Sequence, residues 1–364
     1  MKVCFFGTYT DPNWYKFSSN KDWYNSLLLD VLKNEKITIL ECRVNVNGIL
    51  SLIASYFKLF SKHKGMNYDI MIIGWRGIMA LPLAKLISRK PIVFFPFISI
   101  FQTLVEDRKI ISKSSLKAKF FHFIDKLGCQ LSDMIILDTS ENIEYFSKEF
   151  SQDRKKFRRL MFGIDEKSFP ALPLKEPDEI FDVLFIGTYI PLHGIDVIVE
   201  SAKILSEHKD IKFTLVGDGQ TKQEIESKIK EYNLNNIQLR NSVPQDKLSE
   251  ILDKTDISLG IFSDSKKALS VVPSKLLISL CSCKPIITID NPSVKEIGLE
   301  NRKNCILIKP NNPKELSDAI LYLKNNPIVM KEISMKAHEY YKKELSIDNV
   351  GKKLSVYLNE LIMN

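Results

Sequence analysis

The chain has 364 residues, 45% of them hydrophobic and 26% charged, the composition of a soluble globular protein with length for about two domains. The longest apolar run, residues 92–101, is far shorter than the roughly 18 residues of a spanning helix; no secretory pattern opens the chain, and six scattered cysteines lack the spacing of a zinc site or disulfide framework, so a cytoplasmic protein with reduced core thiols is expected. The net charge of +8 is uneven, with 27 Lys and Arg against 17 Asp and Glu in residues 1–175 and 25 against 27 afterwards, so the basic first half suits an anionic membrane or charged substrate, whereas no motif supports a nucleic-acid partner.

The chain opens on Val3-Cys4-Phe5-Phe6-Gly7-Thr8-Tyr9, and 180 residues later, half its length, the phrase returns as Val183-Leu184-Phe185-Ile186-Gly187-Thr188-Tyr189. Each is an apolar run stopping at Gly, the pattern of a buried parallel strand opening into a tight loop. In the first half, strand-like runs at 37–40, 70–74, 92–95 and 134–137 alternate with helical patterns at 23–32, 49–60, 81–87, 118–131 and 142–150, which predicts βαβ units on a parallel sheet. Residues 49–64 and 109–126 interleave lysines with aromatic and aliphatic residues; they read either as helices lying on an anionic membrane or as amphipathic helices with a solvated basic side. Pro170, Pro173 and Pro177 mark a linker. Strands at 183–186, 213–216, 237–239, 257–259, 286–289 and 305–308 then alternate with helices at 195–205, 224–232, 246–252 and 313–323, and helical segments fill about 329–362. Two doubly wound α/β domains are therefore predicted, with ligands at the carboxyl edges of their sheets and, where those edges face, in the cleft between them.

Three segments of the second half carry candidate chemistry. Ile190-Pro191-Leu192-His193-Gly194 runs from the second strand opening into a helix, whose free N–H groups and dipole favour an anion, with His193 as a donor or else a structural histidine. Phe-Thr-Leu-Val-Gly-Asp-Gly at 213–219 is a second strand ending in a glycine loop, but Lys222 stands where a dinucleotide fingerprint needs its third Gly. Val-Val-Pro-Ser-Lys at 271–275 predicts a Ser274 cap with Lys275 in the first helical turn, where the dipole opposes a cation unless an anion is present, so Lys267 and Lys275 are candidates for pyrophosphate contacts.

Taken in order, these segments resemble the family-4 (group-1) glycosyltransferases of the GT-B fold over nearly the whole chain. The signals are Gly-Thr-Tyr-x-Pro-Leu-His-Gly at 187–194, Gly-Asp-Gly-Gln at 217–220, Leu-Gly-Ile-Phe at 259–262, Val-Val-Pro-Ser-Lys at 271–275 and Lys-Pro-Ile-Ile-Thr at 284–288. In the first half, Ser99, the run from Thr103 to Arg108, and Asp138-Thr139 are similar to the family's pattern. The resemblance implies an α/β GT-B fold of two doubly wound Rossmann-like domains facing each other across a cleft. An acceptor-side domain is expected at 1–170, a nucleotide-sugar-binding domain at 171–345, and a helix at 346–364 packing back on the first domain.

The implied activity is a retaining, metal-independent transfer of a sugar from a nucleotide sugar to a glycan acceptor, lipid-linked, with no cofactor beyond the donor substrate and with peripheral contact at the inner membrane face. Lys275, Lys267 and His193 are the expected catalytic groups, stabilising the leaving diphosphate. Donor contacts are expected at Gly7, Thr8, Gly187, Thr188, Gly194, Gly217, Gly219, Val243 and Ser274, and acceptor contacts at Ser99, Glu106, Arg108 and Asp138. The chain departs from the pattern where the family carries two glutamates with seven residues between them, here Ser270 and Ile278, and where Phe95 and Asn142 replace an Asp and a His. A catalytically degenerate GT-B partner subunit and a sugar-nucleotide epimerase are the alternative readings.

Overall fold

The computed structural model describes residues 1–8, 23–45, 49–175 and 178–363, which separate into two units: Met1–Phe162 with Ile347–Asn364, and Gly163–Ser346. The first unit holds β1 (Lys2–Thr8), α1 (Trp23–Asn34), β2 (Thr38–Val44), α2 (Ile49–His63), β3 (Ile70–Ile73), α3 (Leu81–Ile87), β4 (Ile92–Phe94), α4 (Leu116–Leu131), β5 (Met134–Leu137), α5 (Ser140–Glu149) and β6 (Phe157–Arg159). Its six strands are all parallel, in the order β2-β1-β3-β4-β5-β6. Because successive strand residues point to opposite faces, Val3, Phe5, Ile70, Ile72 and Val93 fill one core while Cys4, Phe6, Met71, Ile73, Ile92 and Phe94 fill the other. Burial on both faces explains why these strands read as unbroken apolar runs.

The second unit runs through β7 (Phe181–Ile186), α6 (Ile195–Ile204), β8 (Ile211–Val216), α7 (Lys222–Glu231), β9 (Ile237–Arg240), α8 (Gln245–Asp253), β10 (Ile257–Leu259), α9 (Ser274–Cys281), β11 (Ile286–Ile289), α10 (Pro292–Glu296), β12 (Ile306–Ile308), α11 (Pro313–Asn325) and α12 (Pro327–Tyr340). Its strand order is β12-β11-β10-β7-β8-β9, again wholly parallel. The chain winds outward from β7 to β9, then returns to add β10 to β12 on the opposite side of β7. The strand order therefore reverses between β7 and β10, where α/β sheets place their ligands. In the first unit the reversal lies between β1 and β3, so the repeated phrase occupies the same topological position in both sheets.

Beyond a π-helical turn at Tyr341–Leu345 the chain leaves the second unit, and α13 (Ile347–Met363) joins the first. There Val350, Leu354 and Leu358 are buried with Leu28 and Leu32 of α1. Asn34 donates to Asp348 at 2.9 Å, and Tyr357 donates to the Arg159 carbonyl at 3.0 Å. In the second unit a buried Lys284 ammonium donates to the carbonyls of Pro173, Asp253 and Thr255 at 3.0, 3.2 and 3.2 Å, fastening the proline-rich segment to the end of α8. Lys175 gathers Asp178, Asp182 and Asp256 at 2.9, 2.9 and 3.1 Å beside it.

Candidate functional site

The β7–α6 and β8–α7 loops leave the carboxyl edge of the second sheet in close backbone contact. A Cβ on Gly217 (φ +155°) would fall 1.9 Å from the Gly187 carbonyl oxygen, and one on Gly219 (φ +151°) 2.6 Å from that of Tyr189. Only glycine meets both the positive φ and the contact distance. Tyr189 is buried and binds the loops together, its N–H donating to the Asp218 carbonyl and its carbonyl accepting from Thr221. Gly194 (φ +60°) starts α6 and packs against the backbone of Phe262 and Ser263, bringing the β7 loop to the chain leaving β10. Thus both strands flanking the reversal point contribute to one wall.

Lys275 stands in the first turn of α9 on that wall. Its residue is 9% exposed, and its ammonium lies 4.8 Å from the Phe185 ring centroid. A Cβ on Gly187 would meet Lys275 Nζ at 2.9 Å and His193 Cε1 at 3.2 Å, so the absent side chain at 187 makes room for both. Burial pushes the Lys275 ammonium down to about 7, because a cation loses hydration there; the Phe185 ring returns part of that through its negative face. Among the described residues Lys275 makes no ion pair or hydrogen bond through Nζ. The first turn of α9 contains no acid, and Pro273 precedes it without a side-chain cap. The helix field and the lysine therefore add to a positive potential of the kind that attracts a phosphate.

His193 presents Nδ1 to the Thr188 carbonyl. A carbonyl only accepts, so Nδ1 carries the proton and Nε2 keeps its lone pair while the imidazole is neutral. Its ring packs edge-on against Phe185 at 5.7 Å. Phe185 itself gave no chemical signal in the sequence, where it reads as one apolar residue of a buried strand; only the fold puts it beneath a cation and a histidine.

One expectation, the Ser274 cap, is corrected here. Ser274 is an exposed first residue of α9, and the cap position is Pro273; the preceding proline takes the extended conformation that a cap needs, which displaces the serine by one residue. Lys267 is buried at 7% exposure, in a turn whose carbonyls at Ala268 and Val271 are held by the Asn291 amide at 2.9 and 3.3 Å. Ser270 donates to the Lys267 carbonyl at 3.0 Å, and Ile278 is half-buried on α9. Neither supplies a carboxylate. Val243 follows β9, two strands away from β7, and is half-buried.

A cavity of about 250 Å³ lies on the other flank of Gly194, lined by Asp196, Glu224 and Asp264 together with Ile190, Thr221 and Asn311. Its three carboxylates oppose a diphosphate, whereas the Lys275 side offers a positive potential.

In the first unit Gly7 (φ +139°) is buried at the end of β1. Thr8 closes the strand, but its side chain and all of Tyr9 lie outside the described residues. Ser99 is buried, and its hydroxyl donates to Asp125 at 2.6 Å and accepts from the Gln102 N–H at 2.9 Å. Asp125 also accepts from the Phe101 N–H at 2.9 Å, and burial raises its carboxyl to about 6 against these hydrogen bonds. It thereby anchors the start of the π-helix Gln102–Asp107, which the sequence pattern did not reveal. Glu106 on that turn accepts from Tyr145 at 2.9 Å. Burial lowers the half-buried Arg108 guanidinium, with neighbouring Asp107 opposing the shift. Asp138, after β5, accepts from Asn142 at 2.6 Å. Phe95 is fully buried, packed on Phe97 and Phe162.

Residues 166–343 match the family of glycosyl transferases group 1. An uncharacterized glycosyltransferase of Methanocaldococcus jannaschii is 25% identical over 242 residues, 66% of this chain and 63% of that protein. The poly(ribitol-phosphate) alpha-N-acetylglucosaminyltransferase of Staphylococcus aureus is 26% identical over 172 residues, 46% of this chain and 33% of its own. The chain thus spans less than two thirds of either relative. Anabaena HepE, solved in complex with UDP, superposes with a TM-score of 0.70 at 13% identity, over 99% of this chain and 100% of HepE. Residues 166–343, just under half of the chain, are thus similar to the glycosyl transferases of group 1, and the two parallel-sheet units have the GT-B fold.

Proposed function

We propose that the protein transfers a sugar from a UDP-sugar to a glycan acceptor, with retention of anomeric configuration and without a divalent metal. The observation that carries this reading is Lys275: a buried ammonium with no carboxylate partner among the described residues, on an uncapped helix start beside Gly187 and His193. A diphosphate leaving from the sugar develops charge there. Lys275 and the α9 N–H groups, with His193 beside them, oppose that charge without a cation from solution. HepE was solved with UDP and with UDP-glucose, and the S. aureus relative is named for transfer to poly(ribitol-phosphate). These support a uridine nucleotide and a polymeric acceptor, which this reading takes to be lipid-linked and used in assembly of a surface polysaccharide. Glu106, Arg108 and Asp138, at the carboxyl edge of the first sheet, are the acceptor-side groups in this reading.

The test is a melting-temperature screen with UDP, GDP, dTDP, ADP and CMP, followed by transfer assays with UDP-sugars. UDP at about 100 times its dissociation constant adds about 2.7 kcal/mol to stability. Stabilisation by UDP in wild type and its loss in Lys275→Ala are expected; an equal shift in both removes Lys275 from the site. Ser270 and Ile278, where the family carries carboxylates, favour a second reading, a partner subunit that binds nucleotide without turnover. UDP binding with neither transfer nor donor hydrolysis would establish it.

A further inference from the structure

We infer that the layer formed by α2, α3 and α4 in the first unit is a docking surface for an anionic lipid bilayer. The inner faces of these helices fill a core against the sheet through Leu59, Leu81, Ala84, Phe121 and Ile124, while their outer faces leave large apolar side chains in solvent. On α2, Ile53, Phe57 and Phe60 are 61%, 73% and 54% exposed, at spacings of four and three residues that put them on one side of the helix. On α4 the same spacing aligns Leu116, Phe120 and Phe123, at 82%, 42% and 56%. Leu86, at 82%, projects from α3, which packs against both neighbours. Scattered exposed apolar residues are ordinary; two aligned rows on neighbouring helices, bridged by a third, are not.

The charge around these rows says what covers them. Residues 49–131 contain thirteen Lys and Arg against four Asp and Glu. None of the four carboxylates, Asp69, Glu106, Asp107 and Asp125, is exposed. Lys58, Lys62 and Lys64 at the end of α2, and Lys113, Lys117 and Lys119 around the start of α4, are all exposed. The next exposed carboxylate along the chain, Asp133, is paired with Lys85 at 3.2 Å, and the acid-free area stops at α5 with its Glu141, Glu144 and Glu149. A protein partner is ordinarily read by charges of both signs, whereas aromatic rings set among lysines, with Glu106 beside Lys113 only partly exposed, match the interfacial layer of an anionic leaflet, where rings enter the headgroup region and ammonium groups reach lipid phosphates. Among the described residues no helix is long and apolar enough to cross a membrane, so the contact is to one leaflet. This face shares no residue with the Lys275 site and is independent of the transfer reading.

The full chain is sedimented with vesicles of phosphatidylcholine alone and of phosphatidylcholine with phosphatidylserine. Binding to the second and not the first is expected, weakening about fivefold for each lysine removed in Lys117→Gln and Lys119→Gln. Phe57→Ser with Phe123→Ser, both at exposed positions and so compatible with folding, should weaken it more than tenfold, while the melting temperature of the protein stays unchanged. No binding to the mixed vesicles at low salt overturns the inference. So does unchanged binding by the double Phe variant, which would reduce the contact to charge adsorption. A concentration-dependent dimer in the ultracentrifuge, abolished by the same variant, would assign the face to a second copy of the chain instead.

Discussion

Replacing Lys275 by Met removes a charge the fold holds at a disadvantage. Its ammonium falls from an ordinary 10.5 to about 7, and at about 1.4 kcal/mol per pH unit this corresponds to about 5 kcal/mol of unfavourable burial of the charged form. The folded value lies below the unfolded one. The contribution to stability is therefore complete above pH 10.5 and is lost as pH falls towards 7; below 7 both states are protonated and the full penalty applies. Met keeps the unbranched length and the contact with Phe185 without the charge. Lys275→Met should thus be more stable than wild type at pH 6, with an advantage shrinking by about 4 kcal/mol at pH 10. Urea denaturation of both proteins at pH 6, 8 and 10, without nucleotide, reads this directly. Nucleotide should reverse the order, because a diphosphate restores an anionic partner to the wild-type lysine alone. A stability difference independent of pH would refute the reasoning, since it would mean that the lysine stays charged in the fold and already has its counter-ion.

Gly217→Ala places a methyl group 1.9 Å from the Gly187 carbonyl oxygen, and chemical denaturation should show a loss of about 3 kcal/mol or more, accompanied by weaker UDP binding as the two loops separate. Lys284→Met leaves the Pro173, Asp253 and Thr255 carbonyls without their shared donor; a loss of about 3 kcal/mol is expected, and early protease cleavage near residue 175 would locate it. The Asp125 carboxyl, raised to about 6, gives the opposite pH sense from Lys275: its contribution is complete below about 4 and lost as pH rises through 6. Relative to Asp125→Asn, wild type should therefore lose up to about 3 kcal/mol between pH 4 and 7, and a flat difference in calorimetry would show that its hydrogen bonds outweigh burial.

Much of the architecture was legible locally. The repeated Gly-Thr-Tyr phrase located both first strands, and apolar runs of three to six residues located most others, because a strand buried on both faces leaves no polar residue to confuse the pattern. What escaped was short or irregular: β6, whose Phe157-Arg158-Arg159 carries two charges at the sheet edge; the five-residue α10; and the π-helix Gln102–Asp107, whose geometry depends on a carboxylate from a different helix. The candidate site was half visible. Lys275 and His193 stood out because a lysine at a helix start and a histidine before a helix glycine are local oddities. The expected Ser274 cap was misread, since Pro273 takes the cap position, and the partner of the Ser99 hydroxyl, Asp125, lies too far along the chain to be read locally.

The amino-acid sequence alone determined the two parallel α/β halves, the glycines at their strand ends and the basic bias of the first half, all properties of near neighbours and of composition. Only the tertiary structure decided the strand order that brings the β7 and β10 loops together, the seating of Lys275 on Phe185 with its lowered pKa, and the alignment of α2, α3 and α4 into one basic, aromatic face. Desolvation and charge pairing depend on what packs around a group, and that neighbourhood exists only after distant segments of the chain have met.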